Sequence, residues 1–230
     1  MCNPLLENLR KFNRKERFFL LRHAIGCKYF NLSDGFCRSL EVAFGTNLPK
    51  TPYFAIDYHL DWLYAAAFLA TPAARDAEKQ GKTTFPMPKK PGLLTATQED
   101  IDLLVAFPDA SDETVTHLLL LEAKGVTGWT NKQLRSKAKR LEAIFGTNGD
   151  EWSHQGVAIK PRFAIISPKQ PSELECSGYP RWMKDKKEGL VHISLPIESC
   201  LLQPMRCDSA KGRSGSYRNW KVKTTGSRKK

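Results

Sequence analysis

The chain is 230 residues long, enough for one sizeable core or for a single domain with decorated ends. Its 41% hydrophobic content suits a folded globular protein, and 36 Lys and Arg against 24 Asp and Glu leave a formal charge of +12 and a pI near 9.5. That balance favours a polyanionic partner such as nucleic acid or an anionic membrane surface, with charge kept only for solubility as the bland alternative. Six cysteines, at positions 2, 27, 37, 176, 200 and 207, show no C-x-x-C spacing and no accompanying His cluster, which argues against structural zinc. Met1 to Arg17 is charged and lacks the apolar stretch of a secretory signal. The longest apolar run, Trp62 to Ala70, is nine residues. A membrane-spanning helix needs about 20. The expectation is a soluble cytoplasmic protein with reduced thiols and no membrane partner.

In chain order, Asn13 with Glu16 three places on predicts a helix start, running through Phe18 to Leu21 and stopping near Gly26. A second helix is expected from Ser33 or Asp34 to Gly45, with Phe36, Leu40 and Phe44 on one stripe. Thr51-Pro52 reads as a cap with proline at the first helical position, opening a buried helix that continues to about Ala70. Residues 71–91, Lys-rich and punctuated by proline, read as a long loop. Strands are expected at Leu93 to Thr97, Ile101 to Phe107 and Thr116 to Ala123, a helix at Asn131 to Phe145, and strands at Phe163 to Ser167 and Leu190 to Leu195. This order, helix, three strands, helix, strand, predicts one α/β or α+β domain over 51–208. A helical N-terminal extension over 1–50 would pack on it. The end, Ser209 to Lys230, has eight Lys and Arg and no acid, and reads as a basic tail.

The informative segment runs from Glu99-Asp100-Ile101-Asp102 to Leu118-Leu119-Leu120-Leu121-Glu122-Ala123-Lys124. A strand apolar on both sides is expected to be buried on both faces, and charges at its end are costly unless paired or used with a metal. Glu122 and Lys124 stand two apart and so project from one face. If the two strands pair antiparallel about a tip near Asp112, Asp102 falls opposite Glu122, with Cβ atoms about 4.5–5.5 Å apart. Two carboxylates that close can share a hard divalent cation such as Mg²⁺. A lysine beside them can stabilise charge on a scissile phosphate or position a water. A bare acid-x-Lys is a cheap pattern, and Asp185-Lys186-Lys187 repeats it in a charged stretch that reads as surface.

Asp102, nineteen intervening residues, then Glu122-Ala123-Lys124 resembles the PD-(D/E)XK, or restriction-endonuclease-like, nuclease superfamily. The resemblance covers roughly Thr51 to Pro168. It implies a restriction-endonuclease-like α/β core and Mg²⁺- or Mn²⁺-dependent cleavage of nucleic acid, DNA above all. It also implies that Asp102 and Glu122 bind the metal and that Lys124 assists catalysis. The following helix often carries a glutamine in this family, and Gln133 matches that place. Lys137 occupies the position where the related Gln-x-x-x-Tyr motif has its aromatic, and the proline of the family name is missing before Asp102. A homodimer is compatible with the reading.

Each of these residues also has a structural explanation. Asp102 could end a turn and cap a strand, and Asp100, two residues earlier on the same face, competes with it as a metal ligand. Glu122 and Lys124 could form a solvated ion pair. Gln133, three after Thr130, completes a capping box. On the same helix Lys132, Arg135, Lys137, Lys139 and Arg140 precede the first acid, Glu142, and read as an outward basic face over a core stripe of Leu134, Ala138, Leu141 and Phe145. Asp57 and Asp61, four apart on the expected Pro52–Ala70 helix, and Glu41 are candidates for a further metal-site acid. Nothing in the spacing of His23 and His59 with Cys27 or Cys37 supports a Cys–His hydrolase. The competing functions are an inactive nucleic-acid-binding module of the same fold and a basic RNA-associated or assembly protein.

Overall fold

The computed structural model describes residues 3–86, 99–125, 128–172, 174–197, 202–207 and 219–224. The strand expected at Leu93 to Thr97 lies outside them. The protein is α/β. Its helices are α1 (Pro4–Phe12), α2 (Glu16–Ile25), α3 (Asp34–Phe44), α4 (Leu60–Ala70), α5 (Pro72–Lys79) and α6 (Asn131–Phe145). Strands β1 (Tyr53–His59), β2 (Asp100–Pro108), β3 (Thr116–Ala123), β4 (Ile159–Ser167) and β5 (Val191–Ser194) form one sheet in that order, while β6 (Leu202–Cys207) and β7 (Asn219–Thr224) form a separate antiparallel pair. β1, β2 and β3 are antiparallel neighbours; β4 runs parallel to β3, and β5 to β4. A parallel neighbour requires a crossover, and α6 lies in the connection from β3 to β4.

The centre of the sheet explains its own sequence. Leu118 and Leu120 face one layer with α1, α4 and α6, while Leu119 and Leu121 face the other with α3; all four are 0% exposed. Burying each contributes about 1.5–3 kcal/mol, so β3 anchors both layers and holds whatever follows Leu121 in place.

Four departures from the sequence expectations bear on the site. The helix expected from Pro52 to Ala70 is two elements: Tyr53–His59 is β1, paired with β2, and the helix starts only at Leu60. The run is mostly apolar, with only Asp57, His59 and Asp61 breaking it, so its periodicity does not separate strand from helix, and its aromatic residues favour the pleated sheet. Part of the expected 71–91 loop is α5, capped by the Thr71 side chain accepting from the Ala74 amide, with Pro72 in the first turn. α1 is an unforeseen helix whose Leu5, Leu6 and Leu9 enter the core. Within the expected tail, residues 219–224 form β7. The remaining boundaries move little, and α6 spans the predicted residues.

Candidate functional site

The site grows from the end of the β2–β3 ladder. Pairing runs from Pro108↔Thr116 to Leu103↔Leu121, and one step further the same register sets Asp102 opposite Glu122. Here the ladder ends on a side chain: the Asp102 carboxylate accepts the Ala123 backbone N–H at 2.7 Å. The strand-capping role weighed for Asp102 is therefore present, and it fixes the carboxylate beside β3. On the other side of β2, Asp57 of β1 falls opposite Asp102, between Ile56↔Leu103 and Tyr58↔Ile101. Asp57 has φ 51, a region that non-glycine residues rarely adopt. The inward alternation slips at this level, since Ala55 and Tyr58, and likewise Leu104 and Ile101, lie in the same core layer.

Glu122 is 8% exposed and two residues on from Leu120, towards the α6 layer. Burial is the main force on its carboxyl and pushes it up to about 7; the Asp102 charge adds to the rise, and Lys137 opposes it. The counter-charge comes from α6. Lys137 Nζ lies 2.9 Å from Glu122 Oε1 and 3.9 Å from Glu99 Oε1, and it donates to the Asp100 carbonyl. Arg140, one turn on, pairs with Glu99. Lys137 is thus not part of the outward basic face that the sequence suggests. It sits among Leu134, Ala138 and Leu141 at 8% exposure, in the stripe that faces the sheet. Its signal is available in the sequence, because position 137 is three after Leu134 and four before Leu141, at the spacing of the core face. Lys132, Arg135 and Lys139 are exposed, as that face requires.

Lys124 follows the end of β3, where its backbone N–H donates to the Ile166 carbonyl at 2.8 Å. Its ammonium lies 5.9 Å from the centroid of the Trp129 ring. Glu122, Lys124, Gln133 and Lys137 share the wall of one cleft of about 630 Å³, together with Glu99 and Trp129. Gln133 is exposed, and its backbone N–H donates to Thr130 Oγ1 at 3.4 Å, so the structural cap is made while the side chain remains on the cleft wall.

The other candidates have different occupations. Asp100 is held by Lys15 at 2.6 Å and by His59. Asp57 pairs with Arg17 at 2.9 Å, and Asp61 lies on α4 rather than on a helix shared with Asp57. Glu41 accepts the Leu48 backbone N–H at 2.9 Å and so ties down the chain after α3. His23 and Cys27 are exposed, and Cys27, Cys37 and Cys176 are free thiols. In the second acid-x-Lys copy, Asp185 accepts the backbone N–H groups of Lys187 and Gly189 and builds a turn.

Among the described residues no helix is long and apolar enough to cross a membrane, and no group of three or more His, Cys, Asp or Glu is arranged to hold a metal ion. Two neighbouring carboxylates nevertheless suit one kind of cation. Mg²⁺ keeps several of its waters and is commonly bound through one or two carboxylates together with the substrate's phosphates. No family model, no curated protein and no solved structure matches this chain.

Proposed function

We propose that the chain is a Mg²⁺-dependent nuclease of the restriction-endonuclease-like class, acting on DNA. The observation that carries this reading is Glu122 at the end of a buried hairpin, on a cleft wall with Lys124 and Gln133, while the register extended by one step sets Asp102 opposite it, bonded to the Ala123 N–H. Support also comes from the sheet, where β2 and β3 form a hairpin followed by α6 and a parallel β4, as the resemblance implies, although α4 and α5 stand between β1 and β2 where it implies a direct three-strand meander. The charge of +12 suits a phosphate backbone.

In this mechanism Asp102 and Glu122 would hold Mg²⁺, or Mn²⁺ in its place, and the chemistry supplied by the ion would be polarisation of a phosphoryl oxygen and a more acidic water. Asp102 is oriented by the Ala123 N–H, and Glu122 is held by β3 against α6. Lys124 places a positive charge on the cleft wall, where a scissile phosphate gains negative charge as the water oxygen bonds to phosphorus. One ester P–O bond breaks, and the leaving oxygen takes a proton from solvent. Gln133 supplies an amide to the same wall and Lys132 an exposed cation beside it. Incubating the protein with supercoiled plasmid and linear DNA tests the reading. Nicked or linear product with Mg²⁺ or Mn²⁺, and none with EDTA, is the expected result; cleavage that persists in EDTA removes the metal mechanism.

One observation favours a second reading, an inactive nucleic-acid-binding module of the same fold. Lys137 already neutralises Glu122 from 2.9 Å, as a lysine filling a disused cation site would. A chain that binds DNA tightly and cuts no substrate in either metal would support it.

A further inference from the structure

The β6–β7 hairpin is a sheet of its own and contributes no residue to the wall of the proposed cleft. Its register pairs Arg206 with Trp220 and Pro204 with Val222, so these residues share one face with Leu202. That face is open: Leu202 is 60%, Trp220 66% and Val222 62% exposed. A two-stranded ribbon is marginally stable by itself, and large apolar side chains left in water on such an element call for a partner. The chemistry of that partner follows from charge. Neither strand holds an acid, and residues 209–230, which include β7, carry eight Lys and Arg and no acid. The Arg206 guanidinium lies 5.4 Å from the centroid of the Trp220 ring, which puts a cation and an aromatic face together at one point.

We infer that this face binds single-stranded nucleic acid, with Trp220 as a stacking platform for an unpaired base and Arg206 as its neighbouring phosphate contact. Unpaired bases stack on exposed aromatic side chains next to cations, with little regard to sequence. Duplex bases are already stacked on one another and offer the indole no free face. The inference extends the nuclease reading by giving the enzyme a hold on strand that is unpaired beside its duplex substrate, and it is testable without cleavage.

The experiment is fluorescence anisotropy of the full chain in EDTA with a labelled 20-nucleotide single strand and with a duplex of the same sequence, over a range of salt. Trp220→Ala should weaken single-strand binding roughly 5- to 150-fold with the salt slope unchanged, because stacking is lost and no phosphate contact is. Trp220→Phe should restore most of the affinity. Arg206→Gln should weaken binding and flatten the log–log slope by about 0.7, the single-strand value for one phosphate contact. Duplex affinity should change little in the Trp220 variants. Trp220→Ala binding single strand as the wild type does, or the wild type not binding single strand at all, overturns the inference and leaves the nuclease reading standing. A chain that never cuts, yet loses single-strand affinity on Trp220→Ala, overturns the nuclease reading and leaves the inference standing. Thermal melting of each variant separates lost stacking from lost fold.

Discussion

Glu122 titrates near 4.5 when unfolded, and in the fold burial lifts its carboxyl to about 7. Between these values the folded chain holds a proton that the unfolded chain has released, so protonation of Glu122 stabilises the fold. That contribution is complete below about 4.5 and is lost as pH rises through about 7. Gln at this position keeps the neutral shape and does not titrate. Melting curves of the wild type and Glu122→Gln should therefore move apart in favour of the variant between about pH 4.5 and 7, then run at a constant gap above it. A gap that is constant throughout would place the group in water. The catalytic expectation is separate. Under the proposed mechanism Lys124→Ala and Glu122→Gln should each lower cleavage by roughly 10²–10³, since both would act on charge that develops in the transition state. DNA affinity should stay within a few-fold, because it rests on many phosphate contacts elsewhere. Lys187→Ala is the matched control, expected to be silent in a turn built by Asp185. Folded variants that cut at the wild-type rate would remove the assignment.

Among the elements, α1 shows how a segment of little apparent promise becomes structural. Leu9 is 0% exposed, and its carbonyl accepts both the Tyr53 hydroxyl at 3.0 Å and the Tyr58 hydroxyl at 3.2 Å. Leu9→Ala should cost roughly 2–5 kcal/mol in urea unfolding, the range for a buried leucine with incomplete relaxation. A loss below 1 kcal/mol would mean that α1 frays from the core at little cost. In the sequence α1 is hidden because its three inward leucines sit among charges in a stretch of only nine residues. β3 and α6 were legible for the opposite reason, since a four-leucine run and a long capped stripe each leave one reading. β1 was not, because its mostly apolar run, in which only Ala55 and Tyr58 are buried, lacks the alternation that separates strand from helix. The opposed acids were legible from loop length alone, as the hairpin has no bulge within its paired register. Lys137 was not, because a charge counted among its charged neighbours hides its place on the apolar stripe.

For the molecule as a whole, the described strands fall into two sheets. The β6–β7 pair is separate from the five-stranded sheet, so deletion of residues 209–230 should leave the main thermal transition in place. It should also flatten the salt dependence of DNA binding by about 0.9 in log–log slope for each phosphate contact removed. An unchanged slope would move the contacts to the exposed cations of α6. The five-stranded sheet carries a further consequence, one of timing. Asn3 at the start of α1 donates to Thr116 Oγ1 at 2.9 Å and to the Glu113 carbonyl, so the first helix closes on a hairpin more than a hundred positions later. At a synthesis rate of about 5–20 residues per second, Leu5, Leu6 and Leu9 leave the ribosome roughly 5–20 seconds before that hairpin exists. Through that interval those leucines have only α4 and Tyr53 and Tyr58 of β1 to pack against, so this core layer is completed last, when the hairpin arrives.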